Sequence, residues 1–549
     1  MAVLSGCMTP ERADQQSEAA GLELATRYWQ EQTGSTNRFD LSRPFDALTL
    51  RVALLAAARN EQGVVFPQLP HVDFVISTNG TLLLSLENAL CVAARNDRAY
   101  QKYKEDIFFR ALDLDYEQYQ FQTSFSGMLL SALSGNFDGD ARADGAGKAG
   151  FARDFESGAT VAGKLAFDVA QLLHDDWHSV GLTGDLTMTV PLLRGSGKEI
   201  VREPLTQAER NLVYGIRGFE EYRQSFSVTV ASAFFRVLES AQQVRNAQDN
   251  LERLTDNNRR AEMMFEAGRM QRIQVDQART DVLNAEQSLI GKRRSYQSGM
   301  DSFKIQIGLP PEARVELDSA ELKRLQVEME DLAARTVSAV EMFPDEVTSC
   351  RIALAARHDL YVERLRLQDL ERSVRIAADA LRADASLSAD VAAKRRRSSG
   401  DDDFAGDEYW GAGVDTDLPW NRRRERNAFK KQLIRYEQAQ RQLEEHEDKV
   451  RLDILNGLRD LVAARLSYEN QLESVKVAQL RVESNNLFML SGRSSMRDVL
   501  EAADALLSAR NALVSALIAW RLSDLKLRRD MGVLELSDAG MWMHVQERF

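Results

Sequence analysis

Ten prolines punctuate the 549-residue chain, yet none lies between Leu205 and Leu309 and none follows Pro419. Proline removes a helical N–H and clashes with the preceding turn, so two long tracts are free of the strongest helix breaker. In the first, apolar side chains recur every seven residues at Val230, Val237, Val244 and Leu251 and, after polar Asn258, at Phe265; beyond Gly268 they resume at Val275, Val282, Leu289, Tyr296 and Phe303. The second carries Ile454, Leu461, Tyr468, Val475, Val482 and Met489, then Val499, Leu506, Leu513, Trp520 and Leu527. A seven-residue spacing keeps one seam facing a partner and is the period of supercoiled helices. Small Ala278, Ala285, Ala502 and Ala509 let such helices approach closely.

The tracts read as copies. Gly268 and Gly492, Val275 and Val499, Leu289 and Leu513, and Gly308 and Gly532 are each 224 residues apart. Upstream, Ala93-Ala94-Arg95-Asn96-Asp97 matches Ala355-Ala356-Arg357-His358-Asp359 at an offset of 262. The spacing predicts a duplicated unit, each half ordered helix, strands, long helix, turn, helix. Gly268 and Gly492 stand where a helix stops in the left-handed conformation and reverses, so each half forms an antiparallel hairpin. At about 1.5 Å per residue the first arm measures on the order of 90 Å and the returning arm about 60 Å. Thr206 and Glu209 are placed to form a capping box for the first tract, and Asn421 to cap the second. From the coiled coil alone, a soluble two-hairpin tether explains the pattern equally well.

Ahead of each long helix the period changes to two. Trp410, Ala412, Val414, Thr416, Leu418 and Trp420 alternate with Gly411, Gly413, Asp415 and Asp417. Val180, Leu182, Leu186, Met188, Val190 and Leu192 alternate with Gly181, Thr183, Asp185, Thr187 and Thr189. One apolar and one polar face suit a tilted barrel strand, with Trp410 and Trp420 as an aromatic girdle at the two interfaces. A half-buried soluble sheet alternates in the same way. Preceding runs are weaker: Ala385 to Val391 alternates, Phe121 to Leu133 does so only roughly, and Val161 to Val169 is a third candidate in the first half.

Several classes are disfavoured. A net charge of -13 argues against a nucleic-acid partner. No run of eighteen consecutive apolar residues occurs, so membrane passage is expected through a closed barrel. Cys7, Cys91 and Cys350 lack the spacing of a metal knuckle or redox pair, and no hydrolase, zincin or nucleotide-loop pattern is present. No enzyme activity, cofactor or metal is therefore expected. His174-Asp175-Asp176-Trp177-His178 reads as a polar turn, and Asp138, Asp140 and Asp144 before Gly145 read as a Gly-rich extracellular loop. Lys394 to Arg397 with Asp401 to Asp403 reads as the matching loop, and Arg422, Arg423, Arg424 and Arg426 stand where lipid headgroups would lie.

Pro191-Leu192-Leu193-Arg194-Gly195 at a strand end resembles the "PLLRG" signature of the TolC-type outer membrane factor family, and Pro419-Trp420-Asn421-Arg422 is its looser second copy. Leu86-Glu87-Asn88-Ala89-Leu90 with Arg95-Asn96-Asp97, and Leu354 to Leu360, are similar to the helix opening each family repeat, with His358 where proline is usual. The likeness spans residues 82 to 533. It implies a mainly α fold with β, in which a homotrimer contributes four strands per chain to a twelve-stranded outer-membrane β-barrel continuous with a helical tunnel in the periplasm. It also implies an exit duct for efflux or type I secretion, docked through its hairpin tips on a periplasmic adaptor (membrane fusion protein) of an inner-membrane pump. By that match Asp498 and Glu501 form carboxylate rings at a periplasmic gate, while Gly268, Arg269, Met270, Gly492 and Arg493 contact the adaptor. Solvated helix surface is the plainer reading of the two carboxylates. In the first-half tip Gln274 takes the acidic position, and Ser494 replaces a basic residue.

Leu4-Ser5-Gly6-Cys7 is similar to a lipoprotein cleavage box with Cys7 as lipid acceptor, although a basic start and an apolar stretch are missing. A chance cysteine in a frayed terminus is the alternative. The organisation expected is a signal remnant at 1–7, a partly helical extension at 8–81 that includes Leu48 to Ala58, a first repeat at 82–309, a connecting segment at 310–342, a second repeat at 343–533 and a tail at 534–549.

Overall fold

A computed structural model of the chain describes residues 9–39, 41, 44–59, 75–76, 81–135, 141–172, 178–335, 345–398, 405–418, 420–490 and 493–536. Cys7, Gly492, Asp138, Asp140, His174 to Trp177 and Asp401 to Asp403 lie outside the described residues. Two compact units form, each from discontinuous segments: Met1–Phe39, Asp106–Ile216 and Val362–Glu444 in one, Asp40–Glu105, Arg217–Tyr361 and Glu445–Phe549 in the other.

The first unit is built on one antiparallel sheet. Its strands are β1 (Ser124–Gly135), β2 (Ala141–Asp154), β3 (Thr160–Leu172), β4 (His178–Pro191), β5 (Asp384–Ser398) and β6 (Ala405–Asp417), each paired with the next. The four strands per chain implied by the family resemblance are thus exceeded, because the first half alone supplies four. The strand missing from the sequence reading is β2. Asp144 and Gly145 belong to it and to no loop. Its alternation is hidden because Arg142, Asp144 and Lys148 alternate with Ala143, Gly145 and Gly147, which are too small to register as an apolar face. Large neighbours fill the space instead: a Cβ at Gly147 would come within 2.2 Å of the Phe167 ring, and one at Gly163 within 2.4 Å of the Phe151 ring. Glycines here make room for cross-strand aromatics.

At one end of this sheet the turn after β2 is closed by Phe155 N–H donating to Ala159 O at 2.8 Å. Gly158 has φ 91°, and a Cβ on it would meet Pro191 Cγ at 2.9 Å. The Pro191–Gly195 turn is itself held by Gly195 N–H donating to the buried Asp379 carboxylate at 2.9 Å. The expected Thr206 cap is displaced. Thr206 N–H donates to Arg202 O at 2.8 Å, so helix α1 (Glu203–Glu266) begins before it, with Pro204 in the first turn where a missing N–H costs nothing. Similarly α3 (Arg423–Leu490) has its first accepting carbonyl on Arg422, one residue past Asn421.

The second unit holds the rest of α1 and α3 together with α2 (Arg272–Gln306) and α4 (Met496–Asp530). Phe303 packs against Phe234 at 6.1 Å between centroids and Lys292 Nζ donates to Gln243 at 2.9 Å, contacts that make α2 the antiparallel neighbour of α1. Tyr468 lies 5.5 Å from Trp520, and Gly457 faces Leu527, so α4 returns along α3 in the same way. Most seam positions are buried, including Val230, Val237, Phe303, Ile454, Leu461, Val499, Leu506 and Trp520. Phe265 is not. Along α1 the buried stripe moves to Ala247, Leu254 and Ala261, because 3.6 residues per turn drift against a strict repeat of seven. α4 has the length and apolarity of a spanning helix, but Trp520, Leu525 and Leu527 are buried beside a buried Asp524 that pairs with Arg521 and Arg528.

Strand Leu82–Leu84 pairs in parallel with Val315–Leu317 and antiparallel with Val75–Ile76. Beyond the expected apolar stretch, which falls in helix Pro44–Ala58, the N-terminal extension contains helix Pro10–Thr33, capped by Thr9 and closed by Gly34.

His358, which replaces the family's usual proline, accepts a hydrogen bond at Nδ1 from Arg217 Nη1 at 3.3 Å, since a guanidinium can only donate. Burial, reinforced by the Arg217 charge, lowers its pKa from 6.5 to about 4. The folded pKa lies below the unfolded one, so the stability of the neutral ring is present above pH 6.5 and lost as pH falls through about 4. Denaturant unfolding should therefore show stability declining over that window, with a shallower decline in His358→Asn.

Candidate functional site

The sheet's two faces differ in chemistry across β2–β6, while β1 has apolar side chains on both, with Met128 and Leu130 opposite Lys148 and Ala146 on the charged side. One row runs Phe125, Phe151, Gly163, Leu186, Val391, Trp410, and adjacent rows of that face add Leu129, Leu165, Phe167, Leu182, Met188, Leu387 and Val414. These side chains are exposed, from Phe125 at 81 % to Phe151 at 38 %. The opposite face carries Asp144, Lys148, Lys164, Asp168, Asp185, Thr187, Asp390 and Asp415. Lys164 and Asp185 are directly opposed across β3 and β4. Asp168 and Asp390 fold over Gly181 and Gly411, where a Cβ would come within 2.2 Å and 2.7 Å of a carboxylate oxygen.

The two tryptophans are not at the strand ends. Trp410 is inside β6 opposite Val391, and Trp420 lies beyond Asp417, where the strand stops. Trp410 nonetheless marks a chemical boundary, because further outward on its face Glu408, opposite Ala393, forms an ion pair at 3.0 Å with Arg395 of the following row. Both indoles are exposed, at 80 % and 100 %.

In the second unit each helix pair has a short turn. Gly268, at φ 70°, accepts the left-handed geometry; its N–H donates to Phe265 O, while Arg269 N–H donates to Met264 O at 2.8 Å. The equivalent bond in the second turn runs from Arg493 N–H to Phe488 O at 2.8 Å. Leu254, Ala261, Val275, Ala278, Met489, Met496, Val499, Leu500 and Ala503 form one buried cluster, with Met270 packed on it. Each larger side chain so buried contributes about 1.5–3 kcal/mol. The structure thus joins the two turns through a shared core, leaving Arg269 and Arg493 exposed.

Asp498 and Glu501 are exposed one turn apart on α4. Asp498 Oδ2 accepts from Ser495 Oγ at 2.6 Å, Ser495 N–H at 2.9 Å and Ser494 Oγ at 3.4 Å, and these hydrogen bonds, the Ser495 hydroxyl first, hold its pKa below the usual value. Ser495 in turn caps Asp498 N–H. In the first copy Gln271 and Gln274 make the same reciprocal box, with Gln271 N–H donating to Gln274 Oε1 at 3.4 Å. A neutral amide therefore suffices for the turn, and the charge at Asp498 is not needed for it. Glu501 pairs with Arg481 at 3.1 Å, and Asn485 Nδ2 donates to Asp498 O at 3.0 Å.

Sequence reasoning passed over one carboxylate pair. Asp281 on α2 and Asp504 on α4 have raised pKa values, both through burial and Asp281 also through the Asp504 charge. Their positions differ by one from the 224-residue offset, which is why the repeat did not reveal them.

Residues 181–300, from β4 into α2, match the family model described as outer membrane efflux protein. No curated protein matches in sequence. Among solved structures, the chain is similar to the outer membrane protein VceC of Vibrio cholerae at 15 % identity and TM-score 0.56, covering 81 % of this chain and 96 % of that one. It is similar to the CmeC outer membrane channel of Campylobacter jejuni at 13 % identity and TM-score 0.56, covering 85 % and 94 %. The open-state MtrE outer membrane channel of Neisseria gonorrhoeae gives 13 % identity and TM-score 0.54, covering 85 % and 98 %. At such identities the likeness is one of fold.

Proposed function

We propose, from the match of residues 181–300 to the model described as outer membrane efflux protein, that the chain is the outer-membrane exit duct of a tripartite efflux or type I secretion machine. It acts as a homotrimer. Three sheets close into a barrel in the outer membrane, and the duplicated hairpins of three chains form a periplasmic tunnel, a passive conduit served by an adaptor and an inner-membrane pump. The observation that carries this reading is the continuous apolar, exposed face of β1–β6 set against an opposite face that is charged along β2–β6. Water penalises such a face, and lipid does not. A soluble tether gives it no purpose. The duplication is supported by α2 and α4, both 35 residues long with bounds 224 residues apart.

Trp410 and Trp420 serve as interfacial anchors, and the turns at Gly268, Arg269, Met270, Gly492 and Arg493 dock on the adaptor. Cell fractionation tests the whole: a heat-modifiable trimer in the outer membrane is expected, and a water-soluble monomer would refute it.

Asp498 and Glu501 form the periplasmic gate, where threefold repetition makes rings of carboxylates that favour cations. Because Gln274 shows that an amide supports the cap, Asp498→Asn removes charge with little damage to the turn. The Asp498→Asn, Glu501→Gln variant should lose cation preference in single-channel recordings, and an unchanged preference removes this assignment.

A further inference from the structure

We propose that the barrel has eighteen strands, closed by pairing β1 of each copy with β6 of the next, in place of the twelve that four strands per chain would give. The proposal rests on the exit-duct reading and departs from it in the width of the wall.

All six strands contribute to one apolar face, and β2–β6 carry charges on the other, where β1 places Met128 and Leu130 instead. The row from Phe125 to Trp410 is continuous in register through every pair, so the two strands beyond four extend the wall without reversing it. The turn joining β2 and β3 is seated as firmly as the rest. Gly158 packs on Pro191, Gly195 and Val201, and Glu156 pairs with Lys198 at 2.8 Å and Arg202 at 3.7 Å.

The edges fit a second copy of this chain. β1 has 12 residues and β6 has 13, and alternation of direction through six antiparallel strands makes them run oppositely. Pairing β6 with a neighbour's β1 therefore continues the antiparallel pattern. β1 reads Ser-Phe-Ser-Gly-Met-Leu-Leu-Ser-Ala-Leu-Ser-Gly, with no charge and no proline to guard its open N–H and C=O groups. Edge strands left in water carry such guards, and an unguarded one of this length is built to be covered.

The expected size follows from strand geometry. At about 4.8 Å between strands and a tilt of about 40°, each strand adds about 2 Å of diameter, giving about 36 Å for eighteen strands and about 24 Å for twelve. Barrels of sixteen to eighteen strands leave a water-filled channel. Here the added strands line it with Arg142, Asp144, Lys148, Lys164 and Asp168, so the passage is wide and carries both signs of charge.

Electron cryo-microscopy of the detergent-extracted trimer decides the matter by counting strands. Eighteen strands and a Cα diameter of about 36 Å are expected. A twelve-stranded wall about 24 Å across, with one first-half hairpin outside it, overturns the proposal and leaves the exit-duct reading standing. A chain that extracts with no β-wall overturns both.

Discussion

Leu186→Arg is expected to abolish the outer-membrane trimer, whereas Thr187→Arg, one residue along the same strand, is expected to leave it in place. Leu186 sits in β4 between Gly163 and Val391 on the apolar face, and its side chain is 46 % exposed. Arginine at the middle of a lipid-facing band costs about 2–4 kcal/mol, and threefold assembly repeats that cost in every copy. Thr187 opposes Ala162 and Asp390 on the charged face, where a guanidinium meets carboxylates and water. The readout is the heat-modifiable band from outer-membrane fractions. Loss of the trimer in both variants, or in neither, would contradict this assignment of the two faces.

Trp520→Ala should produce the largest loss of stability in the helical unit. Trp520 is fully buried, 5.5 Å from Tyr468 across α3 and α4. Removing a large aromatic leaves a cavity that the packed helices cannot refill, at a cost of about 3–5 kcal/mol. Trp520→Phe keeps most of the volume and gives up no hydrogen bond, because the buried indole N–H has no partner. It should cost less than about 1.5 kcal/mol. Circular-dichroism melting of the two variants checks the order. Equal losses would mean that the ring is not a packing element.

The helices were legible because their signals are redundant. Absent prolines, a sustained period and paired glycines all mark the same bounds, and the turn at Gly268 falls where its φ of 70° requires glycine. Helix starts were less so. Thr206 and Asn421 are good capping residues, but Pro204 and the carbonyls of Arg202 and Arg422 let each helix begin elsewhere. The sheet was half legible. β4 and β6 declare themselves through large alternating side chains, whereas β2 presents alanine and glycine because its space is filled from β3. No reading of β2 alone could find that, since the filling rings belong to another strand. Trp410 was misplaced for a related reason: the strand continues past the apolar band into Glu408 and Asp407, and hydropathy sees only the band.

At the tips, the sequence located Asp498 and Glu501 but could not tell their present partners. The cap to Ser495 and the pair with Arg481 arise from the turn geometry and from α3, and neither follows from spacing on α4. The Gln274 box in the first copy separates the structural duty of that position from its charge.

Spin labels placed singly from residue 182 to 188 in the membrane-embedded protein offer the most direct test of the central claim. Collision with an apolar relaxer should peak at 182, 184, 186 and 188, and collision with a water-soluble relaxer at 183, 185 and 187, as the faces of β4 dictate. Uniform exposure to the water-soluble relaxer along the whole strand would contradict it.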